Sequence, residues 1–365
     1  MTSEQTRCDV FCKVIDNLGD AGVCWRLSRQ LVAEYGWAVC LYIDHPAALN
    51  GLAPGWDSRA DYGVRVETWN ERTAFDTVPA QVVIEAFACE LPQRYVDLMW
   101  SAPLPPVWIN LEYLSAETWI DDCHGRPSPH PRGRLLKHFF LPGFSTDSGG
   151  LLRERDYRTR RESFSVRAFR HEFGLPEKTE GLSISLFCYP GAPTTELLQQ
   201  LSVSPTPIEL LLPGAEQATE TRGNLHLISL PFLPQSRFDE LLWSCDLNFV
   251  RGEDSFVRAQ LAGKPFVWNI YPQDENTHLR KLDAFLGRYL NNAADVGADG
   301  TAPLWQAWNG DGRLDWPRFA ENLPNLATHA KTWSAQLAAR DDLAMQLVCF
   351  CRERLECSAL QNPPH

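Results

Sequence analysis

Acidic side chains and glycines alternate in the segment Asp16-Asn17-Leu18-Gly19-Asp20-Ala21-Gly22. This segment follows a strand-like apolar run at 10–15 and opens a helical pattern. A strand that passes through a glycine turn into a helix leaves backbone N–H groups pointing outward. It also holds side chains at the carboxyl edge of a sheet, where open α/β folds bind ligands. Asp20, with Asp16 on the same turn, is therefore a candidate general base.

A second candidate site is the segment Arg251-Gly252-Glu253-Asp254-Ser255, which joins an apolar run to a helix ended by Gly263-Lys264-Pro265. We expect Ser255 to be the helix N-cap, and free N–H groups at this helix start could hold a diphosphate. The two carboxylates could accept hydrogen bonds from sugar hydroxyls. Alternatively, they only complement the positive end of the helix dipole. We favour the ligand site because the arrangement resembles the donor-binding layout of GT-B glycosyltransferases.

Aromatic residues follow the same edge of the second half of the chain. Phe187 and Tyr189 end its first predicted strand, Phe249 ends a neighbouring one, and Gln235 follows another connection. Rings can stack on a nucleobase, and an amide can recognise a pyrimidine edge. Each of these residues alone is more typical of a core or a turn, so the prediction of a base pocket depends on the set.

The elements that must position these residues alternate between strand and helix. In the first half, strands are predicted at 37–43, 82–87 and 107–111; in the second, at 183–189, 208–212, 225–230, 246–250 and 266–268. Unbroken apolar runs separated by helical stretches favour parallel sheets covered on both faces. The chain is therefore predicted to be an α/β protein with two Rossmann-like domains that face each other across a cleft.

The domain boundary is predicted at Phe173-Gly174-Leu175-Pro176, after an arginine-rich segment at 152–170. That segment favours a solvated linker or surface helix, with anion binding as the alternative. The predicted domains are an N-terminal one at 1–174 that carries the general base and a nucleotide-sugar-binding one at 175–330. Helices at 331–365 are expected to cross back and brace both domains.

Composition excludes several classes of function. A chain of 365 residues favours two domains, and a formal net charge of −12 argues against a general nucleic-acid binder. The N-terminus lacks a signal-peptide pattern, and no apolar run approaches the roughly 20 residues of a membrane span. The 11 cysteines are scattered, which favours reduced thiols in a cytoplasmic protein.

Other ligand motifs are incomplete. Gly19 and Gly22 fit only part of the dinucleotide-binding fingerprint, in which Asp44 would be the ribose carboxylate, so nicotinamide binding is not favoured. Cys349-Phe350-Cys351 lacks zinc-ligand spacing. We therefore expect no metal and no cofactor.

Together, the segments Asp16–Gly22, Phe187–Tyr189 and Arg251–Ala259 resemble the bacterial protein-arginine rhamnosyltransferases that modify translation elongation factor P, and the resemblance spans essentially the whole chain. It implies an inverting GT-B enzyme that transfers L-rhamnose from dTDP-β-L-rhamnose to an arginine of elongation factor P. That modification would activate the factor for rescue of stalled ribosomes.

The resemblance also implies roles for individual residues. Asp20 matches the general base, Glu253 a second essential carboxylate, and Asp16 a further functional acid. The donor-binding residues by position are Asn17, Leu18, Gly19, Asp20, Phe187, Tyr189, Gln235, Phe249, Arg251, Gly252, Glu253, Asp254 and Ser255.

Two alternative functions stay open. One keeps the fold but changes the acceptor to a lipid or a small molecule. The other is a non-catalytic nucleotide-sugar sensor, which needs no base. Elongation factor P and dTDP-β-L-rhamnose are the expected partners, without nucleic acid or membrane.

Overall fold

In the computed structural model, the described residues are 5–16, 18–57, 62–75, 78–131, 133–178, 180–215, 219–291 and 300–361. The chain divides into two compact units. The first comprises Met1–Arg155 together with Arg340–His365, and the second comprises Asp156–Ala339.

Strands and helices alternate along both units. In the first part of the chain they are β1 (Arg7–Cys12), α1 (Gly19–Tyr35), β2 (Ala38–Ile43), α2 (Leu49–Leu52), β3 (Arg65–Thr68), β4 (Val82–Ala86), α3 (Gln93–Ser101), β5 (Val107–Leu111), α4 (Trp119–Cys123), β6 (Pro127–Pro129) and β7 (Leu136–Phe140). They continue as α5 (Tyr157–Ser163), α6 (Val166–Glu172), β8 (Leu182–Leu186), α7 (Thr194–Ser202), β9 (Ile208–Pro213), β10 (Glu220–Arg222), β11 (Leu225–Leu230), α8 (Gln235–Ser244), β12 (Leu247–Arg251), α9 (Asp254–Ala262), β13 (Phe266–Asn269), α10 (Thr277–Tyr289), α11 (Thr301–Trp308), α12 (Trp316–Glu321), α13 (Leu323–Ala338) and α14 (Leu343–Gln361). Short 3₁₀ turns lie at Pro46–Ala48 and Asp274–Asn276.

The sheet of the first unit has the strand order β3-β2-β1-β4-β5-β7-β6 and is parallel except for β6. Chain order reverses between β1 and β4, where Phe11 pairs with Glu85. In an open α/β sheet, such a switch point at the carboxyl ends of the strands is where ligands bind.

The second sheet repeats this arrangement in the order β10-β11-β9-β8-β12-β13, with β10 antiparallel to its neighbour. Its switch point lies between β8 and β12, where Phe249 pairs with Leu186. The predicted α/β class and parallel pairing are thus confirmed in both units.

Burial explains why the strands form where the apolar runs predict them. Residues 82–86 of β4 and 107–111 of β5 are buried along their whole length, as expected for central parallel strands with both faces covered. Helix α1 turns Cys24, Leu27 and Leu31 into the same core, each without exposed surface. The burial of these three side chains therefore anchors helix α1 on the sheet.

The boundary between the units lies at Arg155/Asp156, earlier than the predicted position after Gly174. Helices α5 and α6 belong to the second unit because their side chains pack into it. Arg170 is 4% exposed and forms two hydrogen bonds with Glu209, at 2.8 and 2.7 Å. The interpretation of the arginine-rich segment as a solvated surface is therefore wrong for Arg170.

The C-terminal tail contains two helices that belong to different units. Helix α13 ends at Ala338 in the second unit, and α14 begins at Leu343 in the first. The Asp342 carboxylate accepts a hydrogen bond from the Met345 N–H and caps the new helix. Helix α14 thus belongs to the first unit, and the expectation that the C-terminal helices brace both domains stays a prediction.

Candidate functional site

The turn after β1 holds Asp20 in a buried position at the start of α1. Its side chain is 1% exposed, and its Oδ2 accepts hydrogen bonds from the N–H groups of Ile15 at 2.8 Å and Asp16 at 2.9 Å. The Asp20 carboxylate therefore binds the backbone of the turn that precedes the helix. The N-cap of α1 is Leu18, whose side chain makes no capping hydrogen bond.

Asp16 is half-buried on the same turn and packs against Gly19. A methyl group at Gly19 would lie 2.5 Å from Asp16 Oδ2, well inside van der Waals contact. The backbone closes the turn as well, because the Gly19 N–H donates to the Asp16 carbonyl at 2.7 Å. Glycine is therefore required for the position that the Asp16 carboxylate takes. Asn17 lies outside the described residues.

Two aromatic residues that the sequence analysis did not single out, Tyr113 and Phe87, lie beside Asp20 at the carboxyl edge of the first sheet. The Tyr113 hydroxyl donates to Asp20 Oδ1 at 3.1 Å from the chain that follows β5. Its ring stacks on that of Phe87, with centroids 4.2 Å apart and planes 12° apart. Phe87 follows β4, so β1, β4 and β5 all deliver residues to the switch point of the first sheet.

Burial and hydrogen bonding act on Asp20 in opposite directions. Burial raises the pKa of the carboxyl above its ordinary value, and the negative charge of Asp16 adds to that increase. The hydrogen bonds from Ile15, Asp16 and Tyr113 lower the pKa because they stabilise the ionised form. A carboxyl with a raised pKa is a better proton acceptor than an ordinary aspartate, which suits a general base.

In the second unit, the guanidinium of Arg251 lies at the end of β12. It is 4.3 Å from the ring centroid of Phe187 and 4.9 Å from that of Tyr189. Its Nη1 donates to the Cys188 carbonyl at 3.2 Å. The predicted residues Phe187, Tyr189 and Arg251 thus lie together, with a fixed positive charge at the carboxyl edge of the second sheet.

The helix start beside Arg251 differs from the prediction in one respect. Helix α9 begins at Asp254 with Glu253 at the N-cap, and the Glu253 side chain makes no capping hydrogen bond. Ser255 is inside the first turn, where its hydroxyl donates to the Arg251 carbonyl and accepts from the Arg251 N–H. The prediction of Ser255 as N-cap is therefore wrong; the serine instead ties the end of β12 to the helix.

Gly252 makes the sharp turn between β12 and α9 with φ at +65°, a region that favours glycine. Its carbonyl accepts a hydrogen bond from the Trp268 indole at 2.8 Å. Asp254 Oδ2 accepts from the Gln235 amide at 3.0 Å, which brings the start of α8 to the same place. The turn, the acidic pair and Gln235 therefore form one cluster.

Within the second unit, the ring of Phe249 lies apart from the cluster around Arg251. Its ring has no exposed surface and packs edge-on against Trp308 at 4.9 Å. Only its backbone approaches Phe187, whose N–H donates to the Phe249 carbonyl at 3.0 Å. Contact between the Phe249 ring and a base stays a prediction, and its burial in the core does not favour it.

Three further features bear on the predicted absence of metal, disulfides and membrane spans. Among the described residues, no group of three or more His, Cys, Asp or Glu could hold a metal ion. The 11 cysteines are all free thiols. Within the described part of the chain, no helix is both long enough and apolar enough to cross a membrane.

Two α/β units, each built on a mostly parallel sheet with a switch point, are the architecture of GT-B glycosyltransferases. The spinosyn rhamnosyltransferase SpnG superposes with a TM-score of 0.57 at 13% identity, covering 95% of this chain and 99% of that one. The chain therefore has the GT-B fold. A solved structure from work on the structural basis of EarP-mediated arginine glycosylation of translation elongation factor EF-P superposes with a TM-score of 0.65. It is 33% identical, and the match covers 96% of this chain and 99% of that one.

The chain belongs to the elongation factor P (EF-P) rhamnosyltransferase family EarP, whose family model matches residues 8–352. It is 46% identical to a protein-arginine rhamnosyltransferase of Pseudomonas putida over 374 residues, which covers 95% of this chain and 99% of the relative. It is also 44% identical to the enzyme of that name from Pseudomonas aeruginosa over 369 residues, covering 94% of this chain and 98% of the relative. The resemblance drawn from the sequence motifs is confirmed.

Proposed function

We propose that this protein transfers L-rhamnose from dTDP-β-L-rhamnose to an arginine side chain of elongation factor P, with inversion at the anomeric carbon. The observation that carries the proposal is the Asp20 carboxylate at the switch point of the first sheet. Its Oδ2 is held by two backbone N–H groups, while its Oδ1 accepts only from Tyr113 among the hydrogen bonds of the described residues. Family membership supports elongation factor P as the acceptor.

Arginine needs such a group because it is a poor nucleophile. Its guanidinium is protonated at cellular pH, and its nitrogen lone pairs are delocalised. A carboxylate can orient the guanidinium through charge-assisted hydrogen bonds and accept a proton as the new bond forms. The pKa of Asp20, raised by burial, favours that transfer compared with an exposed aspartate.

The proposed step balances as follows. A guanidinium nitrogen forms a bond to the anomeric carbon of rhamnose, and the bond from that carbon to the diphosphate oxygen breaks. The N–H proton of the attacking nitrogen passes to Asp20, and the electron pair of the broken bond leaves with dTDP. Attack opposite the leaving group converts a β-linked donor into an α-linked product.

The second unit has the chemistry that a departing nucleoside diphosphate needs. Arg251 supplies a positive charge fixed against Phe187 and Tyr189, and the start of α9 lacks a side-chain cap. Backbone N–H groups and the helix dipole at such an end favour anions. We assign Glu253 and Asp254 to the sugar hydroxyls. This part of the reaction needs no metal, and we place the protein in the cytoplasm, where elongation factor P acts.

The test is transfer in a purified system. The protein is mixed with elongation factor P and dTDP-β-L-rhamnose, and the factor is analysed by intact-mass and fragment-ion spectrometry. We expect one added deoxyhexose on an arginine and, by NMR, an α linkage. An elongation factor P variant with lysine in place of that arginine is the matched control and should stay unmodified. Donor consumption without modification of the factor would favour another acceptor, and donor binding without consumption would favour a sensor.

A further inference from the structure

The carboxylate of Asp20 is held unevenly by its hydrogen bonds. Oδ2 accepts from the N–H groups of Ile15 and Asp16, at 2.8 and 2.9 Å, and these donors occupy both of its lone-pair positions. Oδ1 accepts from the Tyr113 hydroxyl at 3.1 Å. Acceptor capacity for a substrate proton therefore remains on Oδ1, and Tyr113 is the group that shares that oxygen.

The Tyr113 ring is fixed by a neighbour with an unusual backbone. Phe87 stacks on it at 4.2 Å between centroids, and Phe87 itself is buried with φ at +57°. The left-handed region is unfavourable for a bulky residue, so such a conformation persists only where surrounding contacts impose it. Here the Phe87 N–H donates to the Leu111 carbonyl at 2.7 Å, and Leu111 ends the strand that leads to Tyr113.

We propose that Tyr113 is a positioning residue for the transfer reaction: its hydroxyl fixes the orientation of Asp20 Oδ1, and Phe87 fixes the ring that carries this hydroxyl. The inference rests on the proposed function and extends it to a residue on a different strand from the base. Tyr113 acts through Asp20 and does not itself exchange a proton with the substrate.

The hydroxyl also changes the proton affinity of the base. The titratable groups that face Asp20 are Asp16 on the same turn, Tyr113 from the end of β5 and the Cys24 thiol further along α1. Burial and Asp16 raise the pKa of Asp20, and the Tyr113 hydrogen bond lowers it. Removal of the hydroxyl should therefore raise the pKa further and leave Oδ1 free to rotate away from the acceptor.

The test is the Tyr113→Phe variant, which keeps the stacked ring and loses only the O–H. We expect kcat to fall about tenfold, the factor that corresponds to one lost hydrogen bond to a charged group. The KM values for dTDP-β-L-rhamnose and elongation factor P should stay unchanged, and the acidic limb of the pH–kcat profile should move to higher pH. A purely structural role would not move that limb.

Tyr62→Phe is the matched control. The Tyr62 hydroxyl also donates a hydrogen bond, to the Pro54 carbonyl at 2.9 Å, and its ring packs on Trp25 of helix α1, the helix that carries Asp20. We expect its kcat and pH profile to match those of the wild type. An active wild type with an unshifted limb in Tyr113→Phe would overturn this inference and leave the proposed function intact. A wild type that does not modify elongation factor P would overturn the proposed function itself.

Discussion

The guanidinium of Arg251 lies 4.3 Å from the centre of the Phe187 ring, at the switch point of the second sheet. A hydrogen bond to the Cys188 carbonyl, at 3.2 Å, fixes it there. Because the ring and the carbonyl hold the cation before any ligand arrives, little side-chain entropy remains to be lost when an anion binds. The Arg251 side chain is thus already held in place for the diphosphate contact that we propose for it.

Arg251→Lys should weaken donor binding although it keeps the positive charge. Lysine lacks the planar face that stacks on Phe187, so we expect the Kd for dTDP-β-L-rhamnose to rise about tenfold. Isothermal titration calorimetry measures this. Arg222→Lys is the control, because Arg222 is exposed and pairs with Glu220 on the surface. Equal donor affinity in the wild type and Arg251→Lys would show that the stacking has no part in binding.

Gly19→Ala should impair transfer through Asp16. The added methyl group would lie 2.5 Å from Asp16 Oδ2, so the carboxylate must move. Since displacements near 1 Å at a reacting centre cost up to about 100-fold in rate, we expect kcat to fall at least tenfold. Steady-state kinetics with elongation factor P measures the effect.

The control for this change is Gly287→Ala, another glycine within a helix, where a new methyl group meets nothing within 4 Å. Alanine favours helix over glycine by about 0.5–1 kcal/mol, so this variant should unfold at higher denaturant with unchanged kcat. If Gly19→Ala kept full kcat, the position of the Asp16 carboxylate would not matter for the reaction.

Asp20→Asn should change the pH dependence of stability. Burial raises the pKa of Asp20 in the folded state above its ordinary value of 3.8. Its contribution to stability is therefore fully present below that value and is lost as pH rises through the folded pKa. Relative to the wild type, Asp20→Asn should gain stability between acidic and neutral pH. Urea unfolding across that range measures the difference, and a difference that stays constant with pH would contradict the raised pKa.

Asp239→Ala should destabilise the second unit. The side chains of Asp239 and Arg258 are both without exposed surface, and Arg258 Nε donates to Asp239 Oδ1 at 2.7 Å. Removal of one partner from a buried ion pair costs about 3–5 kcal/mol because the other charge remains in a low-dielectric interior. Urea unfolding at neutral pH measures the loss. Glu162→Ala, which removes the exposed pair with Arg158, should show no measurable change.

Local pattern predicted the elements well where apolar runs coincide with buried strands. The run 225–230 is strand β11 without change, because a turn at 223–224 precedes it and Pro231 follows it. The same reasoning found Asp20 and Arg251, since strand ends can be located from sequence. It missed Tyr113 and Phe87, because their contact depends on strands distant in sequence and on a positive φ that phenylalanine does not signal.

The predicted domain boundary lies later in the chain than the observed one because arginine content is a poor guide to burial. Arg161 donates to the Leu261 carbonyl at 2.7 Å, and Arg170 to Glu209, so these cations lie within the second unit. Partners 100 and 39 residues away cannot be found from local composition. The prediction of Ser255 as N-cap is wrong for a different reason: helix α9 begins at Asp254, one residue before the serine.

The most direct test of the central claim is the mass of elongation factor P after incubation with dTDP-β-L-rhamnose and either the wild type or Asp20→Asn. If Asp20 is the general base, the wild type adds one deoxyhexose and the variant is slower by about 100-fold or more, with an unchanged Kd for the donor. Modification by Asp20→Asn at the wild-type rate would contradict the account.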